Sequence, residues 1–231
     1  MNRKLVGHLL GAILLIEAAC MVPALVVALI YQDEDVWAMG KAILLLAAIG
    51  APMRFGIRPQ ERNLRAREGF LVVALAWVAL SCFGALPFVF SGLLPNYIDA
   101  LFESVSGFTT TGATVLTQFD DLPRGIIFWR SFTHWIGGMG VLVLTLALPP
   151  QLSSRTSHLV RAESPGPTLS KIVPKMADSA KILYIMYFIL TMLEFFALML
   201  AGMNPYDAAI HAMGTAGTGG FSNYAASVGA F

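Results

Sequence analysis

Residues 102–114, with the sequence FESVSGFTTTGAT, end in a run of threonine and glycine that contains no charged side chain after Glu103. An extended Thr/Gly segment can direct successive backbone carbonyls toward one axis, where they replace the hydration shell of a monovalent cation. Glycine is needed where the backbone takes a positive φ angle or approaches an ion without a Cβ atom. A single loop of this composition is also typical of a flexible turn, so the flanking sequence must decide between the two interpretations.

A second Thr/Gly stretch, TAGTGGFS at residues 215–222, follows a similar upstream sequence. Residues 96–100 are echoed by residues 204–208, at an offset of 108, whereas residues 110–113 match residues 217–220, at an offset of 107. We therefore expect one residue to be missing from the second copy. Two such loops at equivalent positions favour a binding function over a pair of flexible turns.

The composition places both loops in a membrane protein. The chain has 231 residues, of which 57% are hydrophobic and only 13% charged, whereas a soluble domain carries roughly 25% charged residues. An ordinary soluble domain and a disordered chain are both excluded. Because a membrane-spanning helix needs about 20 apolar residues, the sequence predicts five spans, at residues 5–30, 36–53, 69–94, 126–149 and 182–203.

Two segments rich in Gly, Thr and Ser, residues 95–123 and 204–231, do not fit simple spans. The first contains an amphipathic stretch at 97–107 that is too short to cross a bilayer. Irregular backbone at membrane depth is tolerated only where it is buried in protein or lines water, so each segment is predicted to be a short re-entrant helix followed by an extended loop. The C-terminal end of each short helix would direct partial negative charge at a cation.

The predicted fold is therefore an all-α integral membrane protein, built from repeated helix–pore loop–helix modules like those of K⁺ channels. Two N-terminal helices and a loop occupy residues 1–67, and the first pore module occupies 68–150, with its filter at 108–114. A cytoplasmic linker at 151–177 leads to a partial second module at 178–231, with its filter at 215–222. This second module is incomplete, because the chain ends at Phe231 without a closing span.

The basic residues indicate the orientation. Twelve of the 15 Lys and Arg residues fall at positions 3–4, 54–67 and 155–181, which lie on one side of the membrane if the spans alternate. Positively charged loops stay in the cytoplasm. We therefore expect a multi-pass protein whose N-terminus is cytoplasmic.

Several function classes find no support in the sequence. A net charge of +1 gives no reason to expect a nucleic-acid partner. No histidine spacing suggests a transition-metal site, and no nucleophile–base or metal pattern within the spans suggests an enzyme, so we expect neither catalysis nor a cofactor.

Arg130, near the outer end of the fourth span, is expected to pair with Asp120, Asp121 or Glu103. Glu103 and Arg130 are thus predicted to support the filter rather than to bind the ion.

Other motifs accompany the two loops in a fixed order. FWRS at 128–131 is followed by WIGGMG at 135–140, RAESPGP at 161–167 and TGGFS at 218–222. Together with residues 102–114, these motifs resemble the Trk/Ktr/HKT superfamily of potassium transporters, and most closely its bacterial TrkH/TrkG branch.

The resemblance implies four pore modules around a pseudo-fourfold axis, preceded by two extra helices that match the first two spans. It implies potassium uptake, with K⁺ as the transported ion. In the superfamily a serine in place of the first filter glycine accompanies sodium transport, so Gly112 favours potassium. The implied K⁺ ligands are backbone carbonyls of Thr110, Thr111 and Gly112 in the first filter, and of Gly217, Thr218 and Gly219 in the second.

The resemblance also implies a location and partners. The protein would lie in the lipid of the bacterial inner membrane, and its full-length form would be a homodimer. A cytosolic, nucleotide-binding regulatory subunit similar to TrkA would dock on the face that carries the 151–181 loop. Since the family has four modules in one polypeptide, we expect the chain to be an N-terminal half. The alternative is a dimerising two-pore-loop potassium channel subunit, although such subunits have Thr-x-Gly-Tyr-Gly filters and a sealing final helix.

Overall fold

The computed structural model describes residues 2–59, 66–119, 122–147 and 176–231, and within these ranges the regular structure is helical, with no strand. The predicted all-α fold is confirmed. In chain order the α-helices are α1 Arg3–Tyr31, α2 Val36–Ala51, α3 Ala66–Gly84, α4 Leu86–Phe90, α5 Tyr97–Phe108, α6 Arg124–Ala147, α7 Met176–Leu200 and α8 Pro205–Ala216. A π-helical turn at Pro52–Gly56 extends α2, and a 3₁₀ turn at Ser227–Ala230 follows the second loop.

Four helical segments of the described chain are long and apolar enough to cross a membrane. They are α1, α2 with its π-helical turn, α3 continuing into α4, and α7. They agree with four of the five predicted spans. The remaining predicted span, 126–149, is helical over its described residues as α6 but does not belong to this apolar group. Most of the predicted linker at 151–177 lies outside the described residues, as do Asp120 and Asp121.

The third span differs from its prediction because it is interrupted at Ala85. Pro87 follows two residues later, and a proline lacks the N–H that an α-helix needs and clashes with the carbonyl four residues before it. The helix therefore ends at Gly84 and resumes as the short α4. At the break, the carbonyl of Gly84 accepts a hydrogen bond from Trp129 Nε1 at 3.0 Å.

The two N-terminal helices form a close antiparallel pair. Gln32, with φ 56°, ends α1 in the left-handed region, and its N–H donates to the carbonyl of Ala28. Where the helices cross, a Cβ atom at Gly11 would lie 2.6 Å from Met53 Cβ and 2.9 Å from the carbonyl oxygen of Gly50. Small residues thus allow the backbones to approach, as is common between membrane helices.

The short helices α5 and α8 have 12 residues each, too few to cross a bilayer. Both begin at an asparagine cap: the side-chain oxygen of Asn96 accepts from Ile98 N, and that of Asn204 accepts from Asp207 N. Both pack against α6. The helix α6 therefore lies behind both loops and positions them relative to each other.

Candidate ion-binding loops

The two loops have the same unusual backbone. Thr110 has φ 56° and Gly112 φ 76°, while Thr218 has φ 62° and Gly220 φ 74°. A β-branched residue at positive φ is a conformational outlier, and such strain concentrates where a protein must hold its backbone for a ligand. Alternation between left-handed residues and residues of negative φ turns successive peptide groups toward the same side, as carbonyl coordination of one ion requires.

The hydrogen bonds give the register between the loops. Thr111 N–H donates to the carbonyl of Ser106 at 3.0 Å, and Gly219 N–H donates to that of Gly214 at 3.2 Å. Both the donors and the acceptors are 108 residues apart, the same offset that relates the asparagine caps. The predicted loss of one residue from the second copy is wrong, because the offset of 108 continues through the loop.

This register changes which residues are equivalent. The stretch 110–112 corresponds to 218–220, so the counterpart of Gly112 is Gly220. Gly217, with φ −72°, lies at the end of α8 and corresponds to Thr109, with φ −85°, at the end of α5. The sequence therefore located the second loop, but it paired residues 110–112 with 217–219, one position before the residues that share their backbone conformation.

Glu103 supports the first loop from behind. It is fully buried on α5. Its carboxylate accepts from Thr114 Oγ1 at 2.9 Å and from Val115 N at 3.0 Å. Ser106, one turn further along the helix, donates its hydroxyl to the carbonyl of Ala113 at 2.6 Å. Side chains of α5 thereby hold residues 113–115, which follow the Thr/Gly run of the loop.

His211 occupies the position equivalent to Glu103 in the second loop. Its Nδ1–H donates to the carbonyl of Asp207 at 2.8 Å. This assignment leaves Nε2 as an acceptor for the hydroxyl of Ser222 at 3.1 Å. The Ser222 oxygen in turn accepts from Tyr224 N at 3.0 Å, as Thr114 does from Leu116 N. An imidazole therefore replaces the carboxylate and keeps the contact with the hydroxyl at the equivalent position of the loop.

Arg130 on α6 joins the two loops. It pairs with Glu103, one of its three predicted partners, at 2.5 Å between Nε and Oε1, and both side chains are buried. The other two, Asp120 and Asp121, lie outside the described residues. On the other side, its Nη1 donates to the carbonyl of Ser222 at 3.1 Å, and its guanidinium lies 3.5 Å from the ring centroid of Phe221. The guanidinium of Arg130 thus contacts both Glu103, which supports the first loop, and the backbone of the second loop.

The loops also contact each other and the face of α6 directly. A Cβ atom at Gly112 would collide with the carbonyl oxygen of Gly219. On α6, a Cβ atom at Gly137 would collide with the carbonyl of Phe108, and one at Gly138 would lie 2.6 Å from Tyr187 Oη. Glycine at positions 112 and 137 therefore allows the first loop to approach the second loop and the end of α5 to approach α6, whereas Gly138 leaves room for Tyr187 of α7.

The structure brings together all eight residues that the sequence proposed for the filter and its support. Sequence reasoning missed Ser106 and Asp207. Asp207 accepts hydrogen bonds from the side chains of Asn223, at 2.7 Å, and Tyr224, at 3.1 Å. It also missed His211 as the counterpart of Glu103. The constant spacing of 108 residues was the available signal for that pair.

A comparison with protein families gives a match to the TrkH model, described as cation transport protein, over residues 38–231. The match begins just inside α2 and includes both loops. It covers well over half of the chain.

Curated relatives match over almost the whole chain. The Trk system potassium uptake protein TrkH of Escherichia coli K12 is 41% identical over 234 residues, covering 100% of this chain and 48% of that protein. The Trk system potassium uptake protein TrkG of the same organism is 36% identical, covering 99% and 47%. TrkI of Halomonas elongata is 34% identical, covering 96% and 45%. The chain therefore spans about half the length of these relatives.

A solved structure gives the same result for the fold. The crystal structure of the potassium transporter TrkH from Vibrio parahaemolyticus matches with a TM-score of 0.83 at 36% identity. The match covers 100% of this chain and 46% of that one.

Proposed function

Because the chain belongs to the TrkH family of cation transport proteins, we propose that it forms part of a membrane pore that takes up potassium ions. The supporting observation is the pair of loops that share one backbone geometry, with strained threonine and glycine residues at equivalent positions. Since the relatives are about twice as long, the transport activity is proposed for a complete transporter. By this we mean a polypeptide that contains this chain and two further pore loops.

In this proposal, backbone carbonyls of the loops replace the hydration shell of K⁺, and no acidic side chain is needed inside the filter. The sequence proposed Gly217, Thr218 and Gly219 for the second loop. The offset of 108 favours moving this set by one residue, so that Gly217 belongs to the turn before the filter. The proposed ligands are then the carbonyls of Thr110, Thr111 and Gly112 with those of Thr218, Gly219 and Gly220.

Glu103 and Arg130 have a supporting role in the proposed mechanism. The charges of the pair compensate each other in a buried site, where an unpaired charge is very costly. Their hydrogen bonds to Thr114, Val115 and Ser222 hold both loops at a fixed distance from α6. Uptake would be driven by the membrane potential, which contributes about 2.3 kcal/mol per 100 mV for one elementary charge.

The wider setting follows the family. The chain is a membrane protein with several spans, and we place it in a bacterial inner membrane with its N-terminus in the cytoplasm. A TrkA-like regulatory subunit would dock on the face that carries residues 151–181, and the full-length protein would be a homodimer. The chain serves in transport rather than catalysis, and it uses no cofactor besides the transported ion. The alternative of a two-pore-loop channel subunit gains no support from relatives named as uptake proteins.

The test is potassium uptake by the complete transporter in bacterial cells that lack their own uptake systems. The transporter is either the product of the gene's full reading frame beyond codon 231 or this chain fused to the C-terminal half of a relative. We expect growth at low external K⁺ and rubidium influx that exceeds sodium influx. The variant Gly112→Ser should reduce that ratio, because its Cβ atom would collide with the carbonyl oxygen of Gly219. We expect a loss of about tenfold, which corresponds to about 1.4 kcal/mol. An unaltered transporter that moves no rubidium, or an unchanged ratio in the variant, would contradict the proposal.

A further inference from the structure

The two loops differ in their side chains at two pairs of equivalent positions, 109 with 217 and 111 with 219. In the first loop, Thr109 Oγ1 lies 2.8 Å from Thr111 Oγ1 and donates to the carbonyl of Val105 at 2.7 Å. The equivalent residues of the second loop are Gly217 and Gly219, which have no side chain. We call the hydrogen-bonded pair Thr109 and Thr111 the threonine brace. The second loop has the same backbone geometry without such a brace.

The space beside these two glycines is filled by His134 of α6. A Cβ atom at Gly219 would overlap the imidazole ring. A Cβ atom at Gly217 would lie 3.0 Å from His134 Cδ2 and 2.8 Å from its carbonyl oxygen. The side chain is fully buried. The imidazole therefore contacts the loop at both positions where the first loop carries a threonine.

Packing, rather than hydrogen bonding, holds the ring in place. Neither ring nitrogen of His134 has a hydrogen-bond partner among the described residues. The ring centroid lies 4.2 Å from that of Phe221, at an interplanar angle of 53°. The guanidinium of Arg130 also contacts the Phe221 ring. A histidine and an arginine one turn apart on α6 thus hold the second loop through Gly219 and Phe221.

We propose that His134 is a positioning residue of the second filter loop, whose imidazole replaces the threonine brace of the first loop and fixes the carbonyl at Gly219. This inference rests on the proposed potassium pore. It concerns selectivity, because the carbonyl of Gly219 is in contact with Gly112 of the first loop. A shift of the second loop would therefore alter the ion site at the point where the two loops meet.

The test is a double-mutant cycle between His134 and Gly219 in the complete transporter. Gly219 does not have a positive φ angle, so Gly219→Ala introduces no backbone strain, and its obstacle is the imidazole. We expect Gly219→Ala alone to reduce the rubidium-to-sodium influx ratio by roughly tenfold, and His134→Ala alone to reduce it severalfold. In the double variant the new methyl group occupies space left by the ring, so the ratio should recover to above that of Gly219→Ala.

Two control variants separate this effect from general damage. Gly217→Ala also contacts the ring, but it meets the backbone carbonyl of His134 as well. In Gly112→Ala, the three atoms nearest to the new Cβ atom all belong to the backbone of Gly219 in the second loop, and the φ of 76° adds strain. His134→Ala should rescue neither variant. Rescue of all three glycine variants would indicate nonspecific loosening and would overturn the proposal.

A conservative variant keeps the test informative if His134→Ala does not accumulate in the membrane. His134→Gln retains a planar polar group of similar reach but has a flexible stem that can move aside. We expect His134→Gln to keep a near-normal rubidium-to-sodium influx ratio. Combined with His134→Gln, Gly219→Ala should reduce this ratio less than it does when His134 is unaltered. If the unaltered transporter moves rubidium but Gly219→Ala is equally impaired in every His134 background, the positioning role is wrong. If the unaltered transporter moves no rubidium, the proposed function itself fails.

Discussion

The first and second loops reach the same backbone conformation with different supporting side chains. Positive φ angles recur at Thr110 and Thr218, and equivalent backbone hydrogen bonds recur 108 residues apart. Behind this common backbone, the first loop has a carboxylate where the second has His211. The comparison shows that the backbone register is the repeated feature, whereas the groups that hold it vary.

The supports also differ in where they come from. The first loop is held by its own helix, through Glu103 and Ser106, and by contacts between its own threonines. The second loop is also held by its own helix, through Asp207 and His211. In addition, His134 of α6 fills the space beside its glycines. We therefore expect substitutions at Glu103 and Ser106 to affect mainly the first loop, and substitutions at His134 to affect mainly the second. Arg130 is the exception, since it contacts both.

The largest effect is expected for Arg130→Gln, which would break the link between the loops. The variant leaves Glu103 as a buried, unpaired carboxylate, and loss of one partner of a buried pair costs about 3–5 kcal/mol. The measurement is the free energy of unfolding of the purified complete transporter in mixed detergent. Arg124→Gln is the control, because Arg124 lies over the ring of Tyr31 at 4.2 Å and has no buried ion pair with another described residue. This variant should cost less than about 1 kcal/mol. Equal losses in both variants would contradict the assigned role.

A smaller and unequal effect is expected for alanine at the two equivalent filter glycines. Both positions have positive φ, so alanine adds strain of about 1–3 kcal/mol at each. Only Gly112→Ala also collides with the neighbouring loop, whereas nothing lies within 4 Å of a Cβ atom at Gly220. The rubidium-to-sodium influx ratio should therefore fall further in Gly112→Ala than in Gly220→Ala. A larger effect at Gly220 would show that the loops do not meet as described.

The smallest effect is expected at Ser106 and its counterpart Gly214. Ser106→Ala removes the hydroxyl that donates to Ala113 and should destabilise the protein by about 1 kcal/mol. At the equivalent place in the second loop, a Cβ atom at Gly214 would lie 2.6 Å from the carbonyl of Phe221. Gly214→Ala should therefore cost somewhat more, about 1–3 kcal/mol through overpacking. Thermal unfolding of the two single variants in detergent gives the comparison, and a neutral Gly214→Ala would contradict the close approach.

Much of the fold followed from local sequence properties. The long apolar runs predicted α1, α2, α3 and α7, and the amphipathic stretch at 97–107 predicted α5 to within one residue. The break at Ala85 was missed, although Pro87 was a visible signal for it. The composition of the loops also located the candidate filter, and the charge of Arg130 in an apolar segment pointed to a buried partner.

The register of the second loop could not be obtained in the same way. Composition alone aligns the Thr-Thr-Gly of 110–112 with the Gly-Thr-Gly of 217–219, since both end in glycine after threonine. The backbone dihedral angles instead pair Gly112 with Gly220. A choice between two adjacent glycines depends on which one must take a positive φ angle, and this depends on hydrogen bonds to the preceding helix.

The sequence by itself determined that this is a membrane protein with two short helices and two Thr/Gly loops, because length, apolarity and composition are local properties. Only the tertiary structure decided how the loops are held. His134 and Gly219 are 85 residues apart in the sequence, and they meet because both short helices pack against α6. The same packing places Arg130 between Glu103 and Ser222. Contacts of this kind depend on how the helices pack in three dimensions, which no local pattern of residues specifies.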